Sequence, residues 1–466
     1  MLFSSVTFLY YFLPLVLAVY FVSPARFRNA VLLAASLVFY FFGEPVYCFL
    51  LIGSSLAGWL FGLWIDKARG TKRQKFPLVL GIAALLVSLG FFKYSDFLVK
   101  NINAVLGTNA GLLHIALPIG ISFYTFQIIS YLIDVFRGDT EAQRNFFDFA
   151  TYVCLFPQLV AGPIVRYSTV ARALKSRTVS FAQTAEGLTR FVVGLGKKVL
   201  LANTLGEIGK MFSESGDKSV LFYYLFAIAF MLQIYFDFSG YSDMAIGLGK
   251  VFGFEFEENF NYPYVSKSIT EFWRRWHISL GSWFRDYVYI PLGGNRKGLL
   301  RTLVNILIVW ALTGLWHGAE WNYVVWGLYF AFFLTLEKLF LGKYLEKAPV
   351  ANIIYTLAVT LFGFVIFNAD NMAEAWQNLG GLFGANGIPF LSTEAVYCLR
   401  NYGVLLVVAV FTATPVAKNL ALKLKASRKG GKVWAVARPA AVAALMLLVT
   451  AYLVDGSFNP FLYFKF

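Results

Sequence analysis

Long apolar runs recur along the chain, separated by short polar and basic connections. Most approach the roughly 20 mostly apolar residues that a membrane crossing needs. The clearest lie near residues 5–22, 28–42, 46–65, 76–92 and 113–133, and again near 300–316, 322–342, 350–368, 398–415 and 434–454. Between these two sets, residues 145–295 are more broken. Apolar runs near 145–163, 186–204 and 219–237 are interrupted there by Gly, Pro and charge. The pattern predicts an all-α, polytopic integral-membrane protein of about twelve transmembrane helices, with shorter re-entrant or interfacial helices in the middle.

Composition agrees with that reading. Of 466 residues, 59% are hydrophobic and 14% charged, against roughly 25% charged in a soluble domain. No long polar segment is available to fold apart, so residues 1–466 read as a single integral-membrane domain. The net charge of +15 would suggest nucleic acid in a soluble protein. Here the Lys and Arg fall mainly in short loops, as the positive-inside bias requires, and lipid headgroups are their natural counter-surface. Loops carrying Arg26 and Arg28, Lys67 to Lys75, Arg137 with Arg144, Arg296 to Arg301, and Lys418 to Lys432 are then cytoplasmic. Gly43-Glu44-Pro45 and both termini face outside. The segment 417–432 reads as a basic amphipathic loop anchored on the cytoplasmic surface. The start, Met1-Leu-Phe-Ser-Ser, runs straight into apolar sequence without a basic n-region, which reads as a retained first span. Cys48, Cys154 and Cys398 stand apart in apolar context, so no metal site is expected and the thiols read as packing residues.

Chemistry is sparse and therefore conspicuous. There are three histidines, and His317 lies in the apolar run Trp310-Ala-Leu-Thr-Gly-Leu-Trp316-His317-Gly318. Ionisable groups at membrane depth are costly and usually functional, and imidazole is suited to moving a proton near neutral pH. His317 is thus the leading candidate for a catalytic base, with Gly314 and Gly318 permitting close approach of backbone or ligand. The densest polar and aromatic stretch is 259–296. Read as a helix, Trp273, Trp276, Leu280, Trp283 and Tyr287 form one aromatic face, while Arg274, Arg275 and Arg285 point elsewhere. Such a helix fits a position at, or dipping into, the cytoplasmic interface. It is either a simple anchor or a site where Arg274 and Arg275 bind an anionic, phosphate-bearing cosubstrate. His277 is open between a structural hydrogen bond and chemistry; His114, before Pro118, has no assigned role. A further cluster, Gln233-Ile-Tyr235-Phe-Asp237-Phe-Ser239-Gly240-Tyr241-Ser-Asp243, predicts a helix end at Ser239-Gly240, with Asp237 and Tyr241 lining an internal cavity.

Several long motifs resemble the membrane-bound O-acyltransferase (MBOAT) superfamily, and within it the bacterial alginate O-acetyltransferase branch. They are Trp-Arg-Arg-Trp-His at 273–277, Trp-Phe-Arg-Asp-Tyr-Val-Tyr-Ile-Pro-Leu-Gly-Gly at 283–294 and Thr-Gly-Leu-Trp-His-Gly at 313–318, with the opening Met1-Leu-Phe-Ser-Ser-Val-Thr-Phe-Leu, the stretches from Leu117, Phe156 and Tyr235, and the closing Asn459-Pro-Phe-Leu-Tyr-Phe. The resemblance implies that His317 is the catalytic histidine and His277 the second, less settled one. It also implies a helical ring thinned at its centre, a catalytic core at about 113–342, and a cytoplasmic donor channel meeting an external acceptor funnel.

The expected function is acetyl transfer from acetyl-CoA, a cosubstrate rather than a bound cofactor, to hydroxyls of an exported polysaccharide or cell-wall glycan. Transfer is direct or through an extracytoplasmic relay protein, which the resemblance favours, in the bacterial inner (plasma) membrane. Trp273, Trp276 and Trp316 join Arg274, Arg275, Asp237 and Tyr241 as expected substrate contacts. Two alternatives are D-alanyl transfer to teichoic acid, and a transporter or flippase that does no chemistry.

Overall fold

The computed structural model describes residues 1–160 and 162–456, and every regular element among them is a helix. The closing motif from Asn459 lies outside the described residues. Among the described residues, eight helices are long and apolar enough to cross a membrane, including Tyr47–Lys67, Val220–Val251, Leu299–His317 and Ala351–Asn368. The protein is therefore a multi-pass membrane protein. Part of the difference from twelve expected spans comes from apolar runs whose helices are too short. Residues 28–42 form the 14-residue helix Arg28–Phe41. The run 113–133 becomes helical only at Ile121, because Gly120 adopts a left-handed φ of +76°. The run 145–163 breaks at Leu155 into Phe146–Cys154 and Phe156–Leu159, where Pro157 cannot supply an interior amide.

The chain folds as two compact units. One comprises Met1–Phe191 with Ser242–Glu258, the other Val192–Tyr241 with the chain from Asn259 onward. In the first, the helix Ile121–Arg137 is buried along most of its length, and Phe3, Phe8, Phe39 and Phe156 pack ring to ring. Tyr20 and Arg177 both bond the Phe252 carbonyl, at 2.8 and 2.9 Å.

The second unit is built on the hairpin of Leu299–His317 and Trp321–Leu336. Their main chains touch. A Cβ at Gly314 would run into the Tyr323 carbonyl, and one at Gly327 into the Trp310 carbonyl. Against this hairpin pack Ala351–Asn368 and the short helix Ile269–Arg275, which in turn packs on a second short helix, Ile278–Phe284.

Three expectations change here. The cluster at Gln233–Asp243 does not end a helix: Val220–Val251 runs through it. Gly240 serves close approach instead, since a Cβ there would stand 2.7 Å from the Gly194 carbonyl. The aromatic stretch is not one helix. It breaks at Trp276-His277, with His277 at φ +46°, because a neighbouring segment takes over the backbone groups. The Arg275 carbonyl accepts from Asn261, and the Ile278 amide donates to the Asn259 carbonyl. Residues 417–432, expected as a loop, are mostly helical: Val416–Ala426 ends at Ser427, where Arg428–Asp455 begins.

Candidate active site

His317 is the last residue of its helix, which Gly318 terminates in an extended conformation. Gly318 lies under the Tyr323 ring, where no Cβ fits. The imidazole is buried in an aromatic box. Its centroid lies 5.0 Å from those of Trp316 and Trp326 and 5.1 Å from that of Phe367, all edge-on. His277, also buried, sits at the break between the two short helices, 4.7 Å from Phe238 and 5.9 Å from Trp316. The Trp316 ring thus contacts both imidazoles. Burial holds the conjugate acid of His277 far below the usual histidine range, so its ring is neutral at pH 7.

Both histidines line one cavity of about 360 Å³. Trp273, Trp276 and Arg274 line it too, as does Arg285, which the sequence reading had not placed among the site residues. A second cavity of about 680 Å³ shares Thr270 and Leu334 with the first and has Lys267 and Lys338 in its wall. Trp273 is wedged edge-on against Trp310, Trp326 and Phe330, at 4.7, 5.5 and 4.8 Å. The helix carrying Trp273 and Arg274 is fixed at its start by Glu337. That carboxylate accepts from the Ile269 amide at 2.6 Å, the Thr270 amide at 2.9 Å and the Thr270 hydroxyl at 2.6 Å.

Other expected contacts stand apart from the cavity lining. Arg275 pairs with Glu271 at 2.8 Å and donates to the Asn261 carbonyl. Asp237 forms an ion pair with Lys198 at 2.7 Å, both side chains buried. Tyr241, on the same helix, is buried. Asn259, the first residue of the polar and aromatic stretch, had no expected role; it is fully buried, and its side-chain oxygen lies 3.2 Å from Nδ1 of His277. Glu337 had none either, and reaches the site from a helix far along the chain, signalled only as a Glu in an apolar run.

Two histidines buried on one cavity of a many-spanning helical protein mark a candidate site. Comparison with known proteins gives its class: the chain belongs to the membrane-bound O-acyltransferase (MBOAT) family, whose pattern matches residues 141–367. A protein described as "Probable alginate O-acetylase AlgI" from Azotobacter vinelandii is 40% identical over 504 residues, covering 100% of both chains. The "Peptidoglycan O-acetyltransferase" of Helicobacter pylori is 34% identical over 434 residues, 85% of this chain and 82% of its own. The "Teichoic acid D-alanyltransferase" of Bacillus subtilis is 27% identical over 273 residues, 54% of this chain and 68% of its own.

Proposed function

We propose that this chain is an O-acetyltransferase of the bacterial inner membrane. It moves acetyl groups from cytosolic acetyl-CoA to hydroxyls of an exported polysaccharide or cell-wall glycan, directly or through an extracytoplasmic relay protein. The observation that carries the reading is the pair His277 and His317 on one cavity. The two relatives described as acetylating a glycan are more similar, over more of the chain, than the one described as a D-alanyltransferase, which favours acetyl over alanyl transfer.

The chemistry follows from the groups present. His317 takes the proton of the acceptor hydroxyl as its oxygen attacks the thioester carbonyl. The tetrahedral oxyanion collapses to the ester and expels the CoA thiolate, and the imidazolium returns the proton to that sulfur. Arg274 at the first cavity provides a cation for the donor's phosphates; Arg285 there is paired with Asp286 at 2.6 Å, and Lys267 and Lys338 at the second share its wall with Glu271, Glu337 and Glu346. The cavity's aromatic walls keep water from competing for the thioester.

The test is turnover of radiolabelled acetyl-CoA by purified protein in nanodiscs, wild type against His317→Ala. Loss of a general base costs about 100- to 10,000-fold, with folding and membrane insertion unchanged. Equal turnover in the variant removes His317 from the reaction. No turnover in either protein, with candidate partners and glycans supplied, removes the acetyl-transfer reading.

A further inference from the structure

Asn259 precedes both short helices, yet its side chain and main chain close on the break between them. Its carbonyl accepts from the Ile278 amide at 3.0 Å. Its side-chain oxygen accepts from the Ser279 amide at 3.1 Å and from the Ser279 hydroxyl at 2.9 Å. A backbone N–H only donates, so the atom facing Ser279 is the oxygen of the Asn259 amide and not its nitrogen. That same oxygen lies 3.2 Å from Nδ1 of His277. An amide oxygen has no proton to give, so the contact is a hydrogen bond only if Nδ1 carries the proton. The Ser279 hydroxyl lies 3.5 Å from Nδ1 but 2.9 Å from the Asn259 oxygen, and distance favours the latter. His277 also holds a left-handed φ of +46°, a conformation that costs a residue with a Cβ about 1 kcal/mol or more and persists only where its surroundings over-determine it.

We infer that Asn259 is a positioning residue that locks His277 in its Nδ1-protonated tautomer, so that Nε2 meets the cavity's ligand as a hydrogen-bond acceptor. This rests on the acetyl-transfer reading for its functional meaning but not for its geometry. A neutral ring protonated at Nδ1 carries its lone pair on Nε2. Such a nitrogen takes a hydrogen bond from a hydroxyl and offers none to a thioester carbonyl. The tautomer therefore assigns the His277 side of the cavity to the hydroxyl-bearing substrate and leaves polarisation of the thioester carbonyl to other donors.

With three histidines in the chain, ¹⁵N-histidine NMR on the purified full-length protein in detergent reads the tautomer directly. The His277 signals are assigned by their loss in His277→Gln. Wild type shows the proton on Nδ1. Ser279→Ala, which keeps the Ser279 amide, and Asn259→Asp, which keeps an acceptor oxygen, retain that tautomer and measurable acetyl-CoA turnover. Asn259→Leu loses the tautomer, and turnover falls about 100-fold or more. A wild-type His277 protonated at Nε2, or an Asn259→Leu protein that folds and keeps the Nδ1 tautomer, overturns the inference whatever the turnover. If the tautomer behaves as stated but no variant, His317→Ala included, alters turnover, the acetyl-transfer reading fails and the tautomer assignment stands.

Discussion

Lys198 and Asp237 meet at 2.7 Å with side chains 3% and 2% exposed. Lys198 sits in the π-helical turn Lys197–Asn203 and Asp237 midway along Val220–Val251, so the ion pair ties two elements together inside the protein. Removing one partner leaves an uncompensated buried charge, which costs about 3–5 kcal/mol, whereas replacing both with apolar residues of similar size is close to neutral. Lys198→Met and Asp237→Leu should each lower the thermal midpoint of the detergent-solubilised protein, and the double variant should recover most of the loss. A double variant no more stable than the worse single one would show that the pair is not the source of the effect.

The two neighbouring arginines should separate in kinetics. Arg274 lines the cavity, and Arg275 is committed to Glu271. Arg274→Gln should raise KM for acetyl-CoA roughly tenfold, the loss of about 1.4 kcal/mol from one charge-assisted contact. Arg275→Gln should leave that KM within about twofold and cost about 1 kcal/mol of stability or less, as partly exposed helix pairs do. Steady-state kinetics of both variants decide it, and a larger KM effect at Arg275 would reverse the assignment.

Glu337 makes three hydrogen bonds to the start of the helix that carries Trp273 and Arg274. Glu337→Gln replaces one acceptor oxygen with a donor group facing donors. A loss of about 1–3 kcal/mol should follow, together with reduced turnover as that helix loosens. Thermal stability and turnover measured on the same preparation check whether the two fall together.

Gly314→Ala places a methyl group against the Tyr323 carbonyl. The hairpin has to spread, and overpacking of this kind costs about 1–3 kcal/mol. Because His317 lies one helical turn further on, acetyl-CoA turnover should fall more steeply than stability does. Gly403→Ala, whose Cβ meets nothing closer than 4.0 Å, is the matched control and should behave as wild type.

Much of this was legible in the chain. Apolar runs announced a multi-pass helical protein, and the motifs at 273–277 and 313–318 marked His277 and His317, with Trp273, Trp276 and Arg274, for what proves to be one cavity. What was not legible depends on partners distant in sequence. The three- and four-residue spacing of Trp273, Trp276, Leu280 and Trp283 survives the helix break, so periodicity cannot reveal it, and the break is imposed by Asn259 and Asn261. Gly240 suggested a helix end, and only the position of the Gly194 carbonyl shows that it serves close approach instead. In the sequence Lys198 is simply one of two adjacent lysines in an apolar run. Its pairing with Asp237, 39 positions on, emerges only in three dimensions.

The backbone contact at Gly314 and Gly327 finally constrains traffic. Helices that touch through their main chains along a seam part only by exposing that seam, so this side of the cavity is a fixed wall. The facing side is a patchwork of two seven-residue helices, a left-handed turn and a π-helical turn, each able to shift without unpicking a long packed interface. Movement around the cavity is accordingly expected of the strip 269–289 rather than of the hairpin.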